Sequence, residues 1–297
     1  MKQQVAILHG DGLGLLVRRQ QSDGLPVLYV HGATFPSALS AAYRFDGHSW
    51  MDDWNARGFD AWAFDFAGYG GSDRLHDKSS DVLPGRAPEA SEQIARVATH
   101  ILSVTRHSAV AVVAHSWGTI PAAMFAARNP QSIASLCMFG PILRRGNEPQ
   151  PAPQDAWRLV TIDQQRARFT ADVPKDHPPV LIEPDLQTWG PAYLASDPQA
   201  ESRLPPAVKI PNGPSADIAE AWSGNLPYDP RDLRCPILCV RGEWDSLTSD
   251  ADANWLLSRA THPASRDVKI AKGTHLMHLE HCREDLFAAV GEFLTNG

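Results

Sequence analysis

Hydrophobic positions in this chain fall into short apolar runs set between turn residues, alternating with stretches where they recur at helical spacing. Residues 4–9 and 13–19 alternate on either side of Gly10, Asp11 and Gly12, which predicts an antiparallel strand pair. Residues 26–30 form an apolar run with the look of a strand buried on both faces. Trp50 and Trp54 lie four apart in an amphipathic stretch, 49–57, closed by Gly58, and this predicts a helix. A strand over 61–66 precedes a glycine-rich turn. A long helix is expected over about 89–105, a strand over 109–113, a helix over 121–127 and a strand over 133–139 stopped by Gly140 and Pro141. From Asp232 the alternation resumes with a strand at 236–240, a helix at 251–260, a strand at 267–270 and a closing helix at 284–294. Strands alternating with helices imply an α/β fold, its mostly parallel sheet covered on both faces.

Residues 141–231 break this alternation. They hold sixteen of the 24 prolines, which disfavours long regular elements. A helix is expected over about 154–169, with shorter pieces near 186–194 and 216–222. Trp157, Phe169, Trp189, Tyr193, Trp222 and Tyr228 recur through the segment, and such aromatic content sets it apart from a disordered loop. The expected organisation is a core of residues 1–140 and 232–297 and an inserted, largely helical lid of residues 141–231.

Composition changes this picture little. At 297 residues, 43% apolar and 21% charged, with mean hydropathy -0.28, the chain is long enough to bury a large core without staples. A net charge of -7 and scattered basic residues, in short pairs such as Arg18-Arg19 and Arg144-Arg145, argue against a nucleic-acid or anionic-membrane partner. The first residues lack the apolar run of a secretion signal, and no segment approaches the length of a membrane span. Four cysteines are too few and too spread for a disulfide framework. Cys235 and Cys239, about 13 Å apart along one strand, are beyond bridging distance. Free thiols fit a reducing cytoplasm, the expected location.

The chemistry concentrates at Ala114-His115-Ser116-Trp117-Gly118. A strand, a sharp turn carrying serine and then a helix is the context of a nucleophile elbow, whose tightness demands small residues two before and two after the serine. Ala114 and Gly118 meet that demand. The helix start also directs free backbone amides to where a substrate oxygen gains negative charge. The competing reading is a helix-capping serine. Ser72, in the glycine-rich turn, reads as a turn residue, and no Gly-Lys-Ser/Thr follows to make a phosphate loop.

Together, His31-Gly32 after a strand, Asp65-x-x-Gly68-x-Gly70-Gly71-Ser72-Asp73, the serine motif, Arg241-Gly242-Glu243-Trp244-Asp245 and Gly273-Thr274-His275 resemble the α/β-hydrolase family over nearly the whole chain except the insert. One position departs: Ala114 stands where the pattern has glycine. The resemblance implies an eight-stranded, doubly covered sheet and a triad in the order Ser116, Asp245, His275. In acyl transfer His275 would take the serine proton and return it to the leaving group, and Asp245 would hold the imidazole tautomer. The oxyanion donors would be the backbone amides of Trp117 and Ala33, with Thr34 as the alternative to Ala33. Thr34, Phe35, Trp157, Trp189 and Trp222 are candidate pocket residues. Glu243 competes with Asp245 for the acid, and His278 and His281 compete with His275 for the base. His275, His278, Glu280 and His281 also invite a metal reading, but their spacing is not H-E-x-x-H. His115 reads as structural, while the Trp117 ring either restricts the pocket or packs in the core.

The expected activity is cofactor- and metal-independent cleavage of a small to medium, apolar carboxylic ester or lactone through an acyl-enzyme. A serine at the elbow disfavours the dehalogenase and epoxide-hydrolase branches, which use a carboxylate nucleophile. A peptidase acting on N-terminal proline would be expected to show a longer glycine-rich motif than His31-Gly32-Ala33. Carbon–carbon bond hydrolysis and acyl transfer employ the same three residues, and a non-catalytic ligand receptor is the reading from another class. The partner is a small molecule, and a homo-oligomer is compatible with the chain.

Overall fold

The computed structural model describes residues 2–10, 12–75, 83–146 and 149–296; Asp11 of the expected first turn lies outside them. The elements in chain order are β1 (Gln4–Leu8), β2 (Leu15–Gln20), β3 (Pro26–Val30), α1 (Trp50–Ala56), β4 (Asp60–Phe64), α2 (Ala87–Thr105), β5 (Val110–His115), α3 (Thr119–Arg128) and β6 (Ile133–Phe139). Then follow β7 (Trp157–Val160), α4 (Ile162–Thr170), α5 (Trp189–Ala195), β8 (Val208–Pro211), α6 (Gly213–Trp222), β9 (Ile237–Gly242), α7 (Asp250–Leu257), β10 (Arg266–Ile270) and α8 (Arg283–Asn296).

Eight strands form one sheet in the order β1-β2-β4-β3-β5-β6-β9-β10. The pairs β1–β2 and β2–β4 are antiparallel and the remaining neighbours parallel. The expected hairpin, the buried strand at 26–30 and the alternating core are all present. Side-chain alternation sends successive residues of β3 and β5 to opposite faces. Val27, Tyr29, Ala111 and Val113 pack against Trp50 and Trp54 of α1 and Phe287 and Val290 of α8. Leu28, Val30, Val112 and Ala114 face the other way, against Ile94 and Val97 of α2 and Ile120 of α3. Helix α1 begins where expected because Ser49 and Asp52 form a reciprocal capping box.

Because β3 is flanked by β4 and β5, the strand order reverses direction between β3 and β5. In open α/β sheets a crevice opens outside the carboxyl ends of the strands at such a point.

The insert corrects one expectation. No helix begins at 154: Trp157–Val160 is a strand paired with β8 in a separate two-stranded sheet, and the helix starts only at Ile162. Trp157 and Val160 suit a strand, and Thr161 with Gln164 forms a capping box that fixes where helical geometry starts. Phe169, Trp189 and Tyr193 are fully buried in the same cluster as Ala33, Phe35 and Trp117. No described helix is long and apolar enough to cross a membrane.

Candidate active site

Five strand ends converge at this crevice. Strand β5 delivers Ser116, β3 delivers His31 to Phe35, β6 delivers Gly140, β9 leads to Asp245, and β10 leads to His275. The elbow is as tight as its sequence requires. Ser116 has φ +56°, a left-handed conformation that costs a non-glycine residue roughly 1–2 kcal/mol. A Cβ on Gly118 would sit 2.4 Å from the His31 carbonyl oxygen, which explains the glycine there. The Thr119 hydroxyl donates to the Ser116 carbonyl at 2.7 Å and steadies the turn from below.

His275 lies between the other two residues of the expected constellation. Its Nε2 is 2.8 Å from Ser116 Oγ, and its Nδ1 is 3.0 Å from Asp245 Oδ2. All three side chains are buried. The second carboxylate oxygen of Asp245 accepts the Leu247 amide at 2.9 Å, fixing the plane of the group. Glu243 is exposed and accepts the Lys272 amide instead. Of the two acids, Asp245 and not Glu243 lies beside His275. A hydroxyl, an imidazole and a carboxylate in this series can pass the serine proton to the imidazole while the carboxylate faces the resulting cation.

The other histidines separate in the same way. His278 is buried against Phe35, Phe139 and His115, and both its ring nitrogens lack a partner among the described residues. Burial, with His275 nearby, pulls His278 down to about 3, so the ring is neutral. His281 is exposed. Glu280 accepts from the Thr274 amide at 3.0 Å and from the Thr274 hydroxyl. Among the described residues no group of three His, Cys, Asp or Glu side chains is placed to hold a metal ion.

His115 packs face to face on Phe139 at 4.3 Å and donates Nε2–H to the His275 carbonyl at 3.0 Å. Burial keeps it neutral, far below the ordinary histidine range. The residue before Ser116 thus holds the backbone of His275, a link that sequence reading reduced to a structural histidine.

The loop after β3 passes beside the serine, since a Cβ on Gly32 would lie 3.1 Å from Ser116 Cβ. His31 fixes that loop: its Nε2 accepts the Phe66 amide at 3.0 Å, so Nδ1 carries the proton and donates to the Gly32 carbonyl at 2.7 Å. Tyr69 Oη donates to the Ala33 carbonyl at 2.9 Å. The Trp117 amide is in the first turn of its helix, where an N–H has no intrahelical acceptor.

The remaining candidates are distributed as follows. Thr34 is buried and receives a hydrogen bond from Arg168 Nη1 at 3.0 Å. Phe35 packs edge-on against Phe169 at 5.7 Å and Trp189 at 5.3 Å. Trp189 is wholly buried and donates Nε1–H to the Leu39 carbonyl, which makes it an anchor between insert and core. Trp157 lies under Lys209 and Trp222 under Arg145, each in a cation–π contact. The Trp117 ring packs in the core against Phe66. Sequence reading missed Arg168, Asp217 and Gly140. Only Gly140 carried a signal, as the glycine that stops a strand.

No curated protein matches the chain in sequence. Among solved structures it is similar to the thioesterase domain from the curacin biosynthetic pathway, at 17% identity and TM-score 0.66 over 99% of this chain and 100% of that one. It is also similar to a serine hydrolase involved in carbazole degradation, the CarC enzyme, at 17% identity and TM-score 0.67 over 100% of both chains. The epoxide hydrolase VrEH1 from Vigna radiata, at 16% identity and TM-score 0.63, covers 99% and 98%. At these identities the likeness is one of fold. The family model described as alpha/beta hydrolase fold matches residues 26–281, the stretch that runs from β3 past the histidine on the serine. The sheet order, the crevice and that match agree: the chain belongs to the alpha/beta hydrolase family.

Proposed function

We propose that this protein is a serine hydrolase that cleaves a small to medium carboxylic ester or lactone through an acyl-enzyme on Ser116. The observation that carries the reading is the continuous series from Ser116 Oγ through His275 to Asp245 at 2.8 and 3.0 Å, built on a serine held at φ +56°.

In this reading Ser116 Oγ attacks the carbonyl carbon while His275 Nε2 takes the hydroxyl proton. The oxyanion is received by the backbone amides of Trp117 and Ala33, which cost no reorganisation as charge develops. Collapse breaks the bond to the leaving alkoxide, which takes the proton back from His275. Water then attacks the acyl-enzyme with the same histidine as base, releasing the acid and restoring Ser116.

Segment 141–231 acts as the lid. Arg168 on Thr34, Trp189 on Leu39 and Asp217 under Trp117 support that role by tying it to the loop and the elbow.

The experiment is a series of p-nitrophenyl esters from acetate to octanoate, comparing wild type with Ser116→Ala. Loss of turnover by about 10³-fold or more in a folded variant is expected. Hydrolysis well above background at equal rates in the two proteins would refute the serine mechanism.

A further inference from the structure

Two arginines between residues 141 and 231 lack an ion pair among the described residues, and one of them reaches the loop beside Ser116. Arg168, on α4, is half-buried and among the described residues bonds only to the neutral Thr34 hydroxyl. Arg158, on β7, has its Nε buried with no acceptor among the described residues. Neither guanidinium forms an ion pair among the described residues, whereas Arg166 between them pairs with Asp163 and Asp185.

The carboxylates felt by Arg168, Asp245 and Asp172, are engaged elsewhere. Asp245 holds His275 and the Leu247 amide, and Asp172 accepts the Ser246 amide. Burial, with Arg158 nearby, pushes the Arg168 guanidinium down to about 10, so it is still a cation at neutral pH.

Two neutral groups complete the environment. Gln165 is fully buried with neither amide atom partnered, and it faces the buried Tyr193 hydroxyl without good hydrogen-bond geometry. The charge of Arg158 reaches both Tyr193 and Tyr69, the residue that holds the Ala33 carbonyl. Arg168 in turn reaches His115, next to the serine. Holding two half-buried like charges near one another beside unsatisfied polar groups is unfavourable unless an anion completes the set. A guanidinium fork fits a carboxylate in particular.

We propose that Arg158 and Arg168 form a carboxylate-binding subsite, with Gln165 and Tyr193 lining it, and that the substrate is an ester whose acyl chain ends in a carboxylate. The proposal rests on the serine-hydrolase reading and deepens it. The carboxylate anchors beside Thr34 while the ester carbonyl reaches Ser116, and hydrolysis releases an alcohol and a dicarboxylic acid.

The test compares 4-nitrophenyl hydrogen succinate and glutarate with their methyl-capped neutral counterparts. Wild type should favour the charged member of a pair by about tenfold or more in kcat/KM, the factor expected of a hydrogen bond to a charged group. In the Arg158→Gln/Arg168→Gln double variant that ratio should fall to about one. No preference in wild type, or a preference that survives the double variant, overturns the subsite.

A second measurement does not depend on turnover. Glutarate should raise the melting temperature of Ser116→Ala, dimethyl glutarate should not, and adding the two arginine substitutions should abolish the rise. Equal shifts with and without the arginines also overturn the proposal. If neither ester is hydrolysed but glutarate stabilises through the arginines, the hydrolase reading fails and the subsite stands. If neutral esters are hydrolysed through Ser116 without charge preference or glutarate stabilisation, the subsite fails and the hydrolase reading stands.

Discussion

The indole N–H of Trp117 donates to Asp217 Oδ2 at 2.9 Å, joining the residue after Ser116 to helix α6 of the insert. The same carboxylate accepts the Ala87 amide at the start of α2 and pairs with Arg86. One buried acid thus ties the elbow, α2 and the insert together. Trp117→Phe removes one donor and should destabilise by about 1–3 kcal/mol. Asp217→Ala strips three partners and should cost more, about 3–5 kcal/mol. Urea denaturation of both variants measures this, and equal costs would contradict the junction.

Gly140 stands against the histidine. It has φ +52°, and a Cβ there would lie 2.9 Å from His275 Nδ1 and 3.1 Å from Asp245 Oδ2. Gly140→Ala should therefore displace the imidazole and lower kcat by roughly 10²-fold, the cost of about 1 Å of misplacement. Unchanged kcat would mean that the His275–Asp245 pair tolerates the methyl group.

Much of this was legible in the sequence because its signals are local. A strand, a small-residue turn and a helix specify the elbow within about a dozen residues, and Ser116, Asp245 and His275 each follow a strand end. The insert was read less well. Residues 157–160 become a strand only by pairing with 208–211, a partner some fifty residues distant that leaves no local mark. Arg158 and Arg168 look like ordinary solvated charges in sequence, and only the folded chain brings them near one another with no ion pair to either among the described residues. Trp189, expected as a pocket residue, is wholly buried with its indole N–H on the Leu39 carbonyl.

Asp245 and Glu243 give a paired test of the acid. Asp245→Asn leaves the shape intact but lets the histidine adopt the wrong tautomer, so kcat should drop by about 10⁴-fold. Exposed Glu243→Gln should retain activity and change stability by less than about 0.5 kcal/mol. Steady-state rates on p-nitrophenyl butyrate measure both, and the reverse ranking would reassign the acid.

Buried neutral histidines make stability depend on pH. Burial holds His115 and His278 below their ordinary value of 6.5, so the unfolded chain gains protons that the folded chain refuses. Their stabilising contribution is present above pH 6.5 and is lost progressively as pH falls toward the folded value, about 3 for His278. Between pH 6.5 and 5 the His278 contribution should fall by about 2 kcal/mol, with His115 acting in the same direction, and His278→Leu should flatten its share of the slope. Denaturation free energies over pH 7 to 5 check this; a flat profile in wild type would show that these rings are charged or solvated.

Ser116 should behave as an activated nucleophile. The most direct measurement is labelling with a fluorophosphonate, followed by peptide mapping, in wild type and in His275→Ala. A single adduct on Ser116, formed in wild type and slowed by about 10³-fold or more without the histidine, is the predicted result. No adduct on folded wild-type protein, or an adduct on another residue, would contradict the account.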